Sequence, residues 1–405
     1  MSEKVTIERI GHLGDGLAHL SDGTIQIPLA APGDVFERAD AQGAWQLAQA
    51  GPHRVKAPCS HYGICGGCNL QHVDTATYLA SKREWVVAAL VRQGLDAPVD
   101  DVQPIAPATR RRATFTATGG REPLIGFHRE GSDEIVPVPH CLVVRPRMIK
   151  ALEAVRGLLE GRLPVRRGAR ITITDADNGL DVAIDAPKVT LVPLGVPEIE
   201  GARLAFIVRA TWNGELMFAT DTVRLALSGV RVDLPVGAFI QATKESEAAL
   251  AAKVAEALVG AQRVADLYAG VGTFTFAVAP NAAVDAFEGH ASSVDALLTA
   301  ARRAQGLKPV SGQTRDLARR PLMVADLKPY DSVVLDPPRV GAEAQARQLA
   351  RSSIERIVYV SCHPASFARD ARLLCDGGYK LVRVSPVDQF LWSNHVELVG
   401  VFTRS

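Results

Sequence analysis

The sequence predicts an open α/β domain toward its C-terminal end, preceded by two regions built mainly of β structure. Three patterns point there. Beyond Gln241, helix-like stretches alternate with short buried runs, as in SEAALAAKVAEALV, RVADLYAG, SVDALLTAARRAQG, DSVVLDPP and RIVYVSC, which implies parallel strands joined by crossover helices. From Pro104 to about Val236 the apolar residues mostly follow a strand period, and up to about residue 55 short β segments are cut by turns. With 405 residues, 47% hydrophobic and 22% charged, the chain is long enough for two to four domains, and a disordered or coiled-coil chain is disfavoured.

At the N-terminus, VTIERIGHLGDGLAHL, a turn at Ser21-Asp22-Gly23, TIQIPL and a turn at Pro32-Gly33-Asp34 predict a small barrel. Asp74 to Leu95 has helical spacing, with Asp74 as the capping residue and Gly94 near the end. In ARITITDADNGLDVAID, Asn178-Gly179 separates two alternating runs and marks a hairpin. The final run, VELVGVFTR, reads as an added edge strand. The uncharged stretch Leu267 to Val284 contains Gly270, Gly272, Pro280 and Asn281, so it is a turn region rather than a membrane span. No apolar segment follows the charges of MSEKVTIERIGHLGDG, so no signal peptide is evident, and a cytoplasmic protein with reduced cysteines is expected.

Several residue groups carry chemistry. RVADLYAGVGTFTFAVA is a buried strand ending in Asp266, then a turn at Gly270 and Gly272, then a helix-like run. Taken alone this is as compatible with an ordinary strand-to-helix turn as with a cofactor loop. About twenty residues on, AAVDAFEG ends in Glu288, whose carboxylate at a strand tip can accept hydrogen bonds from ribose hydroxyls. The loop lacks the third glycine of a dinucleotide fingerprint and the Lys-Ser/Thr of a P-loop, so S-adenosylmethionine fits better than NAD or ATP. DSVVLDPPR sets Asp336 at a strand end before two stiffening prolines, and RIVYVSCHP ends a strand at Ser361-Cys362. In isolation Asp336 reads as a cap, and Cys362, like Cys375, as a small buried hydrophobe. Cys59, Cys65 and Cys68 crowd together, with Cys141 much later; by count, four thiolates can hold zinc or an iron-sulfur cluster equally well.

The series Gly-x-Gly, Glu288, Asp-Pro-Pro-Arg, Ser-Cys-x-Pro and His-Val-Glu, with Phe239-Ile240-Gln241 upstream, resembles the RNA 5-methyluridine methyltransferases over the last 170 or so residues. GHLGDGLAHL resembles a TRAM domain, and the cysteine arrangement, including Pro139-His140-Cys141, resembles the 4Fe-4S site of the family's large-subunit rRNA branch. The resemblance implies a Rossmann-like class I methyltransferase domain (residues 73–103 and 237–405), an OB-like TRAM β-barrel (1–54) and a mainly β iron-sulfur domain (55–72 and 104–236). It implies Cys362 as the thiolate that adds to uracil C6, because C5 is too poor a nucleophile to take a methyl group directly. It makes Glu397 the base that removes the C5 proton, after which the thiolate is eliminated. Asp336 would hold the uracil; Gln241, Tyr268, Gly270, Glu288, Asp316 and Asp336 would line the S-adenosylmethionine pocket; and Cys59, Cys65, Cys68 and Cys141 would ligate the cluster. The expected partner is RNA, rRNA before tRNA, met by a monomer that flips the uridine out of its stack. Methylation of a base amino group, or RNA binding without catalysis, would need neither Cys362 nor Glu397.

Three positions depart from the family pattern: Thr243, Thr273 and His363 stand where Asn is usual. A charged His363 could depress the Cys362 thiol pKa, or the imidazole could simply cap the turn. The net charge of +1 excludes only indiscriminate polyanion binding, because residues 101–170 hold 13 Lys+Arg against 7 Asp+Glu. Arg110-Arg111-Arg112, Arg162, Arg166, Arg167 and Arg170 lie in that stretch, compatible with recognition of a folded RNA.

Overall fold

The structure, a computed structural model, describes residues 3–21, 23–38 and 43–404. The predicted turn residue Asp22 lies outside them. Strands β1 (Glu3–Thr6), β2 (Arg9–Ile10), β3 (Gly16–Leu20), β4 (Gly23–Ile27), β5 (Val35–Arg38) and β6 (Gln46–Gln49) form two antiparallel sheets, ordered β1-β5-β6 and β2-β3-β4. Val5, Ile7, Ala18, Ile27 and Phe36 fill the small core between them. Helix α1 (Thr75–Arg92) starts where the capping signal placed it, with the Asp74 carboxylate accepting from Thr77 N–H at 3.0 Å.

The middle region holds β7 (Arg112–Thr118), β8 (Ile125–His128), β9 (Ile135–Pro137), α2 (Pro146–Lys150), α3 (Leu152–Leu159), β10 (Gly168–Ala176), β11 (Gly179–Asp185), α4 (Val196–Leu204), β12 (Ile207–Trp212) and β13 (Glu215–Ala219). Its sheet runs β13-β12-β11-β10-β7-β8-β9, and Asn178-Gly179 joins β10 to β11 as predicted. The strand pattern hides α2, α3 and α4. Val155, Leu158 and Leu159 of α3 share a core with Ile171 and Ile173 of β10. The hairpin β14 (Arg224–Leu227) and β15 (Val230–Asp233) turns the other way: Leu225 and Val232 pack with Val271, Phe276 and Leu297 of the C-terminal region.

That region contains α5 (Lys244–Ala257), β16 (Arg263–Leu267), α6 (Thr273–Val278), β17 (Ala283–Glu288), α7 (Ala291–Arg303), β18 (Val310–Thr314), α8 (Val324–Leu327), β19 (Ser332–Leu335), α9 (Glu343–Leu349), β20 (Arg356–Ser361), α10 (Pro364–Asp376), β21 (Lys380–Val387) and β22 (Glu397–Thr403). The strands are ordered β18-β17-β16-β19-β20-β22-β21; the first five are parallel and β22 runs antiparallel to both neighbours. The last strand is therefore not at the edge. Glu397 to Gly400 are buried without alternation, the mark of a strand covered on both faces, and β21 takes the outer place. Helix α1 lays Val86, Ala89 and Leu90 into the same core as Phe367, Ala371 and Leu374 of α10. No helix among the described residues is long and apolar enough to cross a membrane.

Candidate active site

The parallel strands end along one edge of the sheet, and the order reverses between β16 and β19, where ligands gather in open α/β folds. Tyr268 follows β16 with a positive φ of 62°, a strained setting for a residue with a side chain. Gly272 also has a left-handed backbone (φ 102°), and a Cβ there would stand 2.6 Å from the Phe276 ring. Beside Gly270 the space is open. Glu288, at the end of β17, accepts from the Gly270 N–H at 3.1 Å and the His290 N–H at 2.9 Å. Asp316, just past β18, accepts from the Ala318 and Arg319 N–H groups.

Asp336 lies one residue beyond β19 and Cys362 one beyond β20. Because β22 pairs antiparallel with β20, with Leu398 opposite Ser361, Glu397 falls next to Cys362. The same register puts all three acid groups at one edge. Gln241 Nε2 donates to Asp336 Oδ2 at 3.0 Å. Gln389, from the loop after β21, donates from Nε2 to Glu397 Oε2 and to Gln241 Oε1, each at 2.9 Å. No sequence pattern singles out Gln389.

Burial dominates the electrostatics. It raises the Asp336 pKa to about 7, with Asp266 adding repulsion and the Gln241 hydrogen bond opposing. Burial, then Asp336, holds Glu397 well above the ordinary carboxylate range. Burial followed by Glu397 and Asp336 pushes the Cys362 thiol up to about 12. His363 does not relieve this. Its Nδ1 accepts from the Ser366 N–H at 3.3 Å and caps α10, and burial with Arg339 nearby disfavours its charged form. Of the two roles open to His363, capping is the one seen; Thr243 likewise caps α5.

Asp266 is fully buried; Oδ2 accepts from Thr275 Oγ1 at 2.5 Å, while Oδ1 has no partner. Burial lifts its pKa from 3.8 to about 7. The native state thus binds an extra proton between these values, so the stability from this group is complete in acid and lost as pH rises through about 7. Asp266→Asn is expected to remove that slope. The stability of the wild type relative to the variant should fall by about 3 to 4 kcal/mol from pH 4 to pH 8 in urea titrations.

A second constellation lies under the middle sheet. Cys59, Cys65, Cys68 and Cys141 line one cavity of about 300 Å³, with His61, His140 and Arg110 around it. All are free thiols. Burial raises the Cys68 pKa to about 12, and the other three thiols add to it after a Gln71 hydrogen bond opposes. Among the described residues, no three His, Cys, Asp or Glu side chains come together tightly enough for a single metal ion. Arg110-Arg111-Arg112 runs between the two constellations. Arg110 N–H donates to Val143 O at 3.1 Å beside the cysteines, and Arg111 N–H donates to Ala242 O at 2.8 Å beside the acid groups. Arg111 is buried, ion-paired with Glu247, and its Nε donates to Gln241 O at 3.1 Å. Buried Arg162 donates to backbone carbonyls. The run Arg110 to Arg112 is therefore a strap with Arg111 buried and Arg110 and Arg112 half-buried, whereas Arg166, Arg167 and Arg170 are exposed.

This strand order, with its penultimate strand in the sheet antiparallel and acid groups along the parallel strand ends, defines a class I methyltransferase fold. Residues 207–405 match the family model of tRNA (uracil-5-)-methyltransferase. An uncharacterized RNA methyltransferase of Agrobacterium fabrum is 40% identical over 100% of both chains. The 23S rRNA (uracil(1939)-C(5))-methyltransferase RlmD of Chromohalobacter salexigens is 32% identical over 100% of this chain and 90% of its own. The Pyrococcus abyssi tRNA (uracil-54, C5)-methyltransferase, solved with S-adenosyl-L-homocysteine, shares the fold with a TM-score of 0.75 over 99% of this chain and 100% of that one, at 23% identity. The chain belongs to the RNA uracil-5 methyltransferase family.

Proposed function

We propose that the chain is an S-adenosylmethionine-dependent methyltransferase that forms 5-methyluridine in large-subunit rRNA. The observation that carries this is the convergence of Cys362, Glu397 and Asp336 at one strand edge in a chain of this family. In this reading the Cys362 thiolate adds to uracil C6 and makes C5 nucleophilic; after C5 is methylated, Glu397 takes the C5 proton and the thiolate is expelled. Asp336 holds the uracil ring. Gln241, Tyr268, Gly270, Glu288 and Asp316, with Asp336, hold the donor; the open space at Gly270 and the Glu288 carboxylate at a strand tip support this. S-adenosylmethionine supplies the methyl group as an electrophilic sulfonium carbon, and its charge favours ionised carboxyls nearby.

The same reading gives Cys59, Cys65, Cys68 and Cys141 to a 4Fe-4S cluster. The four thiols line one cavity, as cluster ligands would. The cluster serves structure or RNA positioning, since the methyl transfer moves no electron between centres. Residues 1–54 act as a TRAM-like OB barrel, 55–72 and 104–236 as the iron-sulfur domain, and 73–103 and 237–405 as the methyltransferase domain. The rRNA target is favoured over tRNA on identity alone, 32% to RlmD over the whole chain against 23% to the Pyrococcus abyssi tRNA enzyme, whose match also spans the cysteine region.

Unmodified 23S rRNA and tRNA incubated with methyl-labelled S-adenosylmethionine, then digested to nucleosides, are expected to yield 5-methyluridine from the rRNA. None from any RNA overturns the reaction, and product from tRNA alone overturns the rRNA assignment. Anaerobically purified protein should show broad visible absorption and about four irons per chain; colourless, zinc-loaded protein overturns the cluster.

A further inference from the structure

With Asp336 and Glu397 ionised, as the proton abstraction requires of Glu397, the hydrogen bonds behind the acid groups run in one direction. Ser246 Oγ donates to Gln389 Oε1 at 2.6 Å, Gln389 Nε2 donates to Gln241 Oε1 and Glu397 Oε2, and Gln241 Nε2 donates to Asp336 Oδ2. Turning the Gln389 amide over would set its oxygen against a carboxylate and another amide oxygen. Gln389 is 3% exposed, and Gln241 and Glu397 are 2% exposed, so water cannot make good that loss. Both N–H donors of one amide are thereby committed, one to each arm of the site.

We propose that Gln389 is a positioning residue: it occupies Glu397 Oε2, leaving Oε1 to receive the C5 proton, and it ties this base to Asp336 through Gln241. This rests on the reading of Glu397 as the base. The bond changes are those of an elimination. The C5–H bond breaks, its proton goes to Glu397 Oε1, its electron pair forms the C5–C6 double bond, and the C6–S bond to Cys362 breaks. Gln389 also supplies the contact that opposes the burial and charge repulsion favouring protonated Glu397. Without it, Glu397 should ionise only at higher pH. The step affected comes after the RNA has become covalently joined to Cys362, so the methylated adduct should build up.

The test compares wild type with Gln389→Met, which keeps length and removes the donors, and Ser246→Ala, which leaves the amide unoriented. Single-turnover reactions on 23S rRNA are followed as adduct surviving denaturing gels and as released 5-methyluridine, across pH 6 to 9. For Gln389→Met, release is expected to slow by about 10- to 100-fold, with more adduct than wild type, less than twofold change in KM for RNA, and the acidic limb moved to higher pH. Ser246→Ala should shift the same quantities less, and it carries the test if Gln389→Met does not fold. Wild-type release and pH dependence in both variants overturn the proposal, as does an equal fall in adduct formation and release. Wild-type release by Glu397→Gln, or no 5-methyluridine from the wild type, overturns the underlying function instead.

Discussion

Cys362→Ala is expected to lower 5-methyluridine formation by at least about 10³-fold while leaving the fold intact. The thiol sits one residue beyond β20, half-buried, where no core packing depends on its sulfur. In the proposed mechanism its loss removes the thiol that adds to uracil C6 and is later expelled. The wild-type rate should also climb with pH through neutrality and beyond. Burial, Glu397 and Asp336 all oppose the thiolate in the free site, so the thiol is largely protonated at neutral pH and its ionised fraction grows as the pH is raised. Initial rates from pH 6 to 9 check this, and a Cys362→Ala enzyme that still formed covalent adduct would place the nucleophile elsewhere.

The largest effect on stability is expected from Lys82→Met. Lys82 and Asp388 are both fully buried, with Nζ 2.5 Å from Oδ1. Lys82 also donates to Phe390 O and His395 O, and Tyr78 OH donates to both Asp388 oxygens. Removing the ammonium leaves the buried Asp388 carboxylate without its counter-charge and the carbonyls of 390 and 395 without this donor, which costs about 3 to 5 kcal/mol. Burial already lowers the Lys82 pKa to about 8, so the amine is still mostly protonated at pH 7. Denaturant unfolding of Lys82→Met, Asp388→Leu and the double variant separates the pair from its parts. The double variant is expected to recover much of the loss, because no unpaired charge remains. Since this cluster anchors the loop from Asp388 to His395, which carries Gln389 and leads into Glu397, the single variant should lose activity as well.

Much of the architecture was legible because period and punctuation report local physics. The Asp74 cap and the Asn178-Gly179 hairpin stand where the sequence places them, and the strand ends at Asp266, Glu288, Asp336 and Cys362 fall within one residue of it. What failed was non-local. VELVGVFTR ends the chain, and its place between β20 and β21 depends on partners rather than on its own pattern. The helices α2, α3 and α4 are short and masked by flanking strands. Arg110 to Arg112 reads as basic surface until Glu247 and the carbonyls of 143 and 242 appear beside it. Lys82 with Asp388, and Gln389 with Gln241, meet across 306 and 148 residues of chain, a separation at which no spacing rule operates.

The strap at Arg110 to Arg112 makes the catalytic region hard to dissect. Its main chain is bonded to the cysteine-bearing segment on one side and to Ala242 on the other, and the Arg111 side chain donates to Gln241 O. A fragment beginning at Val236 would keep every acid group and Cys362, yet would expose the backbone that fixes Gln241 and leave Glu247 without its guanidinium. The middle and C-terminal regions are thus tied together through this strap. A relative that dispensed with the cysteine region would need some other segment to stand behind that glutamine.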